Sequence, residues 1–261
     1  MDLGIAGRKA IVCASSKGLG RGCAMKLAEA GCEVIVNGRS KETAEAAAAD
    51  IRRATNAKVI AVAADVATAE GQDALFAACP EPDIVVLNNA GPPPRDFREL
   101  KRQQMLDGVI ANMVSGIEIV QRAIDPMIRK KFGRIVAITS GGVKMPLPGL
   151  DLSGGARAGL TAFLSGVSRQ VAQHNVTVNF MLPGAFETER LQSIFDGAAK
   201  KSGGKLTAEQ ARAERILTIP ARRVGSPDEF GATCAFLCSA HAGFITGQNV
   251  VIDGGAYPAA F

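Results

Sequence analysis

The residues with the clearest chemical use form a run of small ones, Cys13-Ala14-Ser15-Ser16-Lys17-Gly18-Leu19-Gly20, between an apolar stretch and an amphipathic one. Glycine at a strand-to-helix turn lets backbone N–H groups approach a phosphate, and the helix N-terminus adds partial positive charge. Glycine pairs also serve ordinary turns, so the run alone decides little. Arg39 follows Val34-Ile35-Val36-Asn37-Gly38 and offers a planar fork suited to phosphate, with no carboxylate at that strand end. Lys17 offers a second cation. Other chemistry is thinly supplied. His174 and His241 stand alone. The six cysteines (Cys13, Cys23, Cys32, Cys79, Cys234 and Cys238) make no C-x-x-C and no metal spacing. Most have apolar neighbours, which predicts reduced, buried thiols and no structural zinc. Tyr257 is the only tyrosine.

Positioning these groups falls to alternating elements. Short, mostly apolar runs at Ala10–Ala14, Glu33–Asn37, Val59–Ala63, Ile84–Asn88, Arg134–Thr139, Val176–Met181 and Val250–Asp253 read as strands buried on both faces. Longer stretches near Leu19–Ala30, Lys41–Thr55, Ala69–Ala78, Lys101–Lys130, Gly155–Gln173 and Pro227–Cys238 read as helices. Such βα alternation predicts an α/β fold: a doubly wound, Rossmann-like parallel sheet of about seven strands with helices on both faces. The 261 residues fit one domain, 1–261, with no internal repeat and no linker. Residues 184–220 are expected to be irregular, mobile around Ala198–Lys205, and to act as a substrate lid.

Composition narrows the partners. With 47% hydrophobic and 21% charged residues the chain reads as an ordinary globule. Its charge of +5 is scattered and only 5% of its residues are aromatic, a poor basis for nucleic-acid binding. No apolar run approaches the roughly 20 residues that span a bilayer. The start, MDLGIAGRKAIV, lacks a signal-peptide core. The expectation is a cytoplasmic protein with a small-molecule substrate, no membrane and no nucleic acid.

Further segments fall at strand ends, where open α/β sheets bind ligands: Asp65-Val66, Asn88-Asn89-Ala90-Gly91, Pro183-Gly184 and Ile252-Asp253-Gly254-Gly255. Together with the first turn they resemble the short-chain dehydrogenase/reductase family, from Arg8 to about Tyr257. That family usually writes the turn T-G-x-x-x-G-x-G. Here Cys13 and Ala14 replace the Thr and first Gly, and Ala14 is tolerable there if its φ is negative. The resemblance implies a dinucleotide along Ser15, Ser16, Lys17, Gly18, Leu19 and Gly20. Asp65 would meet the adenine amino group and Val66 the ring. Asn89, Ala90 and Gly91 would line the adenosine side. Pro183, Gly184, Phe186 and Thr188 would hold the nicotinamide carboxamide and phosphate. Lys17, Arg39 and Ser40 resemble the NADP(H)-binding members, so NADP(H) is expected over NAD(H).

The same resemblance places a catalytic Asn at Asn112 and a Ser at Ser140. The family's Y-x-x-x-K-A-x-L then aligns on Ser153-x-x-x-Arg157-Ala158-x-Leu160, so Ser153 replaces the tyrosine and Arg157 the lysine. A tyrosine hydroxyl titrates at about 10 and a neighbouring cation lowers it, whereas serine is a poor acid and arginine stays protonated. Arg157 can still hold the nicotinamide ribose and stabilise an oxyanion. Asp151 would replace the acid if burial raised its pKa. Lys144 and a water held by Asn112, Ser140 and Ser153 are the other candidates. Alternatively Ser153 merely caps the following helix. Halohydrin dehalogenases share the fold and carry Ser-Tyr-Arg, but they keep the tyrosine and lose the dinucleotide loop, the reverse of this pattern. Two readings stay open: an NADP(H)-dependent oxidoreductase acting on a carbonyl or alcohol with a non-standard site, or a catalytically impaired NADP(H)-binding protein, a sensor or oligomer partner. A smaller remainder is elimination or hydration on the same fold. The helices Lys101–Lys130 and Gly155–Gln173 resemble the family's paired interface helices, which implies a homotetramer.

Overall fold

The structure is a computed structural model and describes residues 1–259. In chain order it runs β1 (Lys9–Val12), α1 (Gly18–Glu29), β2 (Glu33–Gly38), α2 (Lys41–Thr55), β3 (Val59–Ala63), α3 (Ala69–Ala78) and β4 (Ile84–Leu87). There follow α4 (Arg102–Val109), α5 (Ser115–Lys130), β5 (Gly133–Ile138), α6 (Asp151–Val171), β6 (Val176–Pro183), α7 (Glu189–Lys201), α8 (Ala208–Leu217), α9 (Pro227–Leu237) and β7 (Asn249–Ile252). The strands form one parallel sheet in the order β3-β2-β1-β4-β5-β6-β7. The order reverses beside β1, and the reversal opens a crevice at the carboxyl ends of β1 and β4.

The apolar strands explain the layers. Alternate side chains point to opposite faces. Ala10, Val12, Val34, Val36, Ile84 and Val86 pack beneath α1, α2 and α9 through Leu27, Ile51 and Phe230. Ile11, Ile35, Val85 and Leu87 pack beneath α3, α5 and α6 through Leu75, Ile119 and Leu164. The six cysteines are free and all buried in these layers. No helix among the described residues is long and apolar enough to cross a membrane.

Three expectations change. The helix expected over Lys101–Lys130 is interrupted: Ile110–Val114 is a π-helical turn between α4 and α5, with Asn112 at its middle. A π-turn inserts one extra residue and redirects the side chains it carries. The helix expected from Gly155 starts earlier, at Asp151, which puts Ser153, Gly154 and Gly155 inside its first turns. The stretch 184–220 is not irregular. Thr188 and Thr207 accept from Leu191 N and Gln210 N, and these caps start α7 and α8.

α1 and α9 touch backbone to backbone. A Cβ on Gly231 would stand 2.2 Å from Gly22 O, and one on Gly22 would stand 2.2 Å from Pro227 O. Gly231→Ala is therefore expected to lower stability by about 1–3 kcal/mol through overpacking, beyond the helix propensity it gains. A urea unfolding midpoint below that of the wild-type chain checks it, and an unchanged midpoint would show that the helices part freely.

Candidate functional site

The chain leaves β1 through a left-handed residue. Ala14 has φ +44°, so the condition under which an alanine sits there without strain, a negative φ, is not met, and the turn keeps a glycine-type backbone despite the methyl. Hydrogen bonds over-determine that geometry. Asn37, buried at the end of β2, accepts from Ala14 N at 2.9 Å and donates to Val62 O and Ala64 O at 3.2 and 3.0 Å. Its backbone N–H donates to Ser15 Oγ at 2.9 Å, while Ser15 Oγ donates to Val12 O at 2.6 Å. Asn88 Nδ2 donates to Ala14 O at 3.1 Å. A Cβ on Gly20 would stand only 2.4 Å from Ala14 O, so the start of α1 lies directly on this turn. Close backbone of this kind, at a helix N-terminus, is a cradle for phosphate.

The other residues expected at a dinucleotide line the same carboxyl edge. Gly18 is left-handed at φ +59°, and a Cβ there would meet the Thr188 methyl at 3.6 Å. Lys17 Nζ is engaged by Glu189 Oε2 at 2.5 Å, an exposed pair that spans from the turn to α7. Arg39 is exposed and makes no ion pair among the described residues. Ser40 caps α2. Asp65 Oδ1 accepts from Ala67 N at 2.9 Å, and Val66 is buried behind it. Gly184 N donates to Ile252 O at 2.9 Å. The Phe186 ring is buried edge-on against Phe230, centroids 5.1 Å apart, so only its main chain remains to meet a carboxamide. Leu19, Ser16, Ala90 and Pro183 complete the rim.

Across the crevice Arg157 is the hub of a second cluster. It is 8% exposed. Its Nη1 donates to Ile138 O at 2.7 Å, its Nη2 to Asn89 O at 3.0 Å and its Nε to Ser153 Oγ at 3.4 Å. Burial, and then the charge of Arg190, push its pKa down to about 10, so it remains a cation at neutral pH. Ser153 lies inside the first turn of α6 and is buried. Leu150 holds the cap position, so the capping role expected as an alternative is excluded. Asn112 is buried beside the same pocket, which Asn89, Ile138 and Arg157 also line. Its Nδ2 donates to Gly108 O, and its buried Oδ1 has no partner among the described residues. Ser140 follows β5 and accepts from Gly142 N at 3.0 Å, and no direct bond joins it to Ser153. Asp151 is exposed, so the burial that would make it an acid is missing. Lys144 stands over the Tyr257 ring at 5.4 Å.

Three participants escaped the sequence. Asn37 and Asn88 stand in strand-end segments of the sequence but carry no role of their own there, although an asparagine inside an apolar strand was the available clue. Arg190 had none. In the fold, a Cβ on Gly91 would stand 3.1 Å from Ser153 Oγ, 3.3 Å from Arg190 Nη2 and 3.6 Å from Arg157 Nη2.

Comparisons with known proteins find relatives along nearly the whole chain. Residues 13–257 match a family model described as Enoyl-(Acyl carrier protein) reductase. The NADPH-dependent reductase BacG of Bacillus subtilis is 30% identical over 95% of this chain and 97% of its own. The 3-oxoacyl-[acyl-carrier-protein] reductase FabG of Escherichia coli is 31% identical over 96% and 98%. The crystal structure of L-sorbose reductase from Gluconobacter frateurii, complexed with NADPH and L-sorbose, superposes with a TM-score of 0.93 at 25% identity, covering 99% of this chain and all of that one.

The strained turn makes its own prediction. Ala14→Gly is expected to leave stability unchanged or raise it by up to about 1 kcal/mol, since relief of the left-handed methyl is partly offset by unfolded-state entropy. Ala14→Val is expected to lower it clearly, because a β-branched residue is an outlier at positive φ. Paired urea titrations check the order, and equal losses in both variants would mean that Ala14 is not left-handed.

Proposed function

The chain belongs to the short-chain dehydrogenase/reductase family, and from that membership we propose that it is an NADP(H)-dependent oxidoreductase acting on a carbonyl or alcohol group of a small molecule. The observation that carries this is the intact carboxyl-edge cradle, from the Ala14 turn to Asn89-Ala90-Gly91, with a buried Arg157 and Ser153 beside it. The named relatives that use NADPH support the same cofactor. The residues fit it. The turn from Ser15 to Gly20 would take the pyrophosphate, and Arg39 with Ser40 the 2′-phosphate. Lys17 joins them by exchanging Glu189 for phosphate. Asp65 and Val66 would take the adenine, Asn89 and Ala90 the adenosine side with Gly91 at its inner limit beside Arg157 and Ser153, and Gly184, Phe186 and Thr188 the carboxamide end. When bound, the cofactor supplies hydride transfer.

The chain's own part is electrostatic. Ser153 Oγ already accepts from Arg157 Nε, and Ser140 Oγ from Gly142 N. A hydroxyl has one proton to donate, and neither serine spends its proton on a described residue. Both hydroxyls are free to donate to a substrate oxygen. Arg157, held by two carbonyls, keeps a fixed positive charge beside that oxygen and stabilises it as negative charge develops. The proton that completes a reduction then comes from solvent rather than from a side-chain acid. Asn112, with an open acceptor at the pocket, holds an ordered water for this purpose. The binding-only alternative rests on the missing tyrosine alone, whereas the serine and arginine in its place remain buried at the site. Residues 184–220, now α7 and α8, serve as the substrate lid within a single domain. Exposed Leu106, Ile110 and Phe163 on α4, the π-turn and α6 support a homotetramer built on those helices, and six free thiols fit a reducing, cytoplasmic setting.

Two measurements test this. NADPH is expected to bind at least tenfold more tightly than NADH by fluorescence titration, and Arg39→Asp to reverse the order. Equal affinities in the wild-type chain would reject the 2′-phosphate assignment. Ser153→Ala, at matched folding stability, is expected to cut NADPH turnover by about 10²-fold or more, within the span of a lost transition-state donor. Unchanged turnover would remove Ser153 from the reaction, and no wild-type turnover across a wide carbonyl panel would favour the binding-only protein.

A further inference from the structure

We propose that the substrate carries its own carboxylate next to the reacting carbonyl, as a 2-oxo acid does, and that Arg190 with Arg157 forms the anion site that selects it. The proposal rests on the oxidoreductase reading above and names its substrate class.

Two guanidinium groups meet at Gly91 without a counter-ion among the described residues. Arg190 Nη2, Arg157 Nη2 and Ser153 Oγ ring the same point above that glycine, each within 3.6 Å of where a Cβ would be. Arg157 is more than nine-tenths buried, and its partners are two carbonyls and a hydroxyl, all neutral. Among the described residues Arg190 reaches only Gly91 O, at 3.4 Å. Three carboxylates of the adjoining segments are spent elsewhere. Glu189 holds Lys17, Glu187 holds Arg212 through both oxygens, and Asp253 accepts from Gly255 N and Tyr257 N. The other buried guanidinium, Arg134, is likewise held by neutral oxygens, but its cationic neighbour Arg8 is paired with Asp83, whereas Arg190 ends on no carboxylate among the described residues. A buried cation with no anion is a costly arrangement, and here a second cation stands beside it. A bound anion removes that cost.

The geometry favours a carboxylate on the substrate. A guanidinium fork matches a planar carboxylate with two parallel hydrogen bonds. A 2-oxo acid carries its carbonyl on the adjacent carbon, so the fork of Arg190 takes the carboxylate while Ser153 and Arg157 meet the carbonyl oxygen. The reaction balances within the proposed activity. The carbonyl carbon gains a C–H bond from the hydride of NADPH, the C=O π pair moves to oxygen, and that oxygen takes a proton from solvent. The products are the 2-hydroxy acid and NADP+. Arg190 opens α7, so the lid itself brings the selecting group to the site.

The test uses the full chain and oxamate, a planar anion with a carbonyl beside its carboxylate, against neutral oxamide. Calorimetric titration of NADPH-saturated protein is expected to show oxamate binding at least tenfold more tightly than oxamide, with a rise in thermal midpoint. Arg190→Gln is expected to erase that preference while NADPH affinity stays within twofold. Indistinguishable binding of the two probes, or no binding of oxamate, would overturn the proposal. So would a parallel loss of NADPH affinity in Arg190→Gln, or competition between oxamate and NADPH, because the guanidinium would then serve the dinucleotide's phosphates. Titration without NADPH keeps the two readings apart. A chain that binds oxamate but not NADPH keeps the anion site and loses the oxidoreductase reading, and one that binds NADPH alone loses only the anion site.

Discussion

How the backbone leaves β1 constrains everything at the carboxyl edge of the sheet. Ala14 sits in a left-handed conformation that costs an L-residue roughly 1–2 kcal/mol. Asn37 and Asn88 offset that cost by binding the Ala14 N–H and carbonyl, and each such bond contributes about 1 kcal/mol net. Asn37 also ties the end of β3, so three strands end in one fixed arrangement. α1 then starts directly against Ala14 O, and its first N–H groups face the crevice where the strand order reverses. Loosening Asn37 would release the turn, the helix start and the β3 end together.

On the other side of that crevice, charge replaces acidity. A lysine at position 157 would share a proton with a neighbouring tyrosine. The arginine there cannot, and its fork is instead anchored on Ile138 O and Asn89 O. Those two carbonyls end β5 and β4, so the guanidinium is as rigid as the sheet. Preorganised charge of this kind needs no rearrangement as negative charge develops on a substrate.

The sequence made the sheet legible because parallel strands buried on both faces read as β-branched runs, and each observed strand lies within two residues of its expected limits. The strand-end segments were legible for the same reason, since they follow those runs. Local conformation was less so. Nothing in Ile110-Ala111-Asn112-Met113-Val114 announces a π-turn, which depends on close packing against α6, where a Cβ on Gly159 would meet Met113 Sδ at 2.8 Å. Ser153 read equally well as a cap or as a site residue until the helix start was fixed at Asp151. The sign of the Ala14 φ stayed open in the sequence because tertiary hydrogen bonds, not its own preference, set it. Arg190 was invisible because only the fold brings α7 over Gly91.

The glycine contact between α1 and α9 has a consequence for how the chain is made. Cys23, Ala24 and Leu27 of α1 share a core layer with Phe230, Cys234 and Leu237 of α9. During synthesis the first helix emerges long before its cover does. Until α9 leaves the ribosome, the layer that supports the dinucleotide turn stays open to water on one side. Native closure therefore waits for the last part of the chain, an ordering that favours slow, late folding and gives chaperones a long window on the nascent first half.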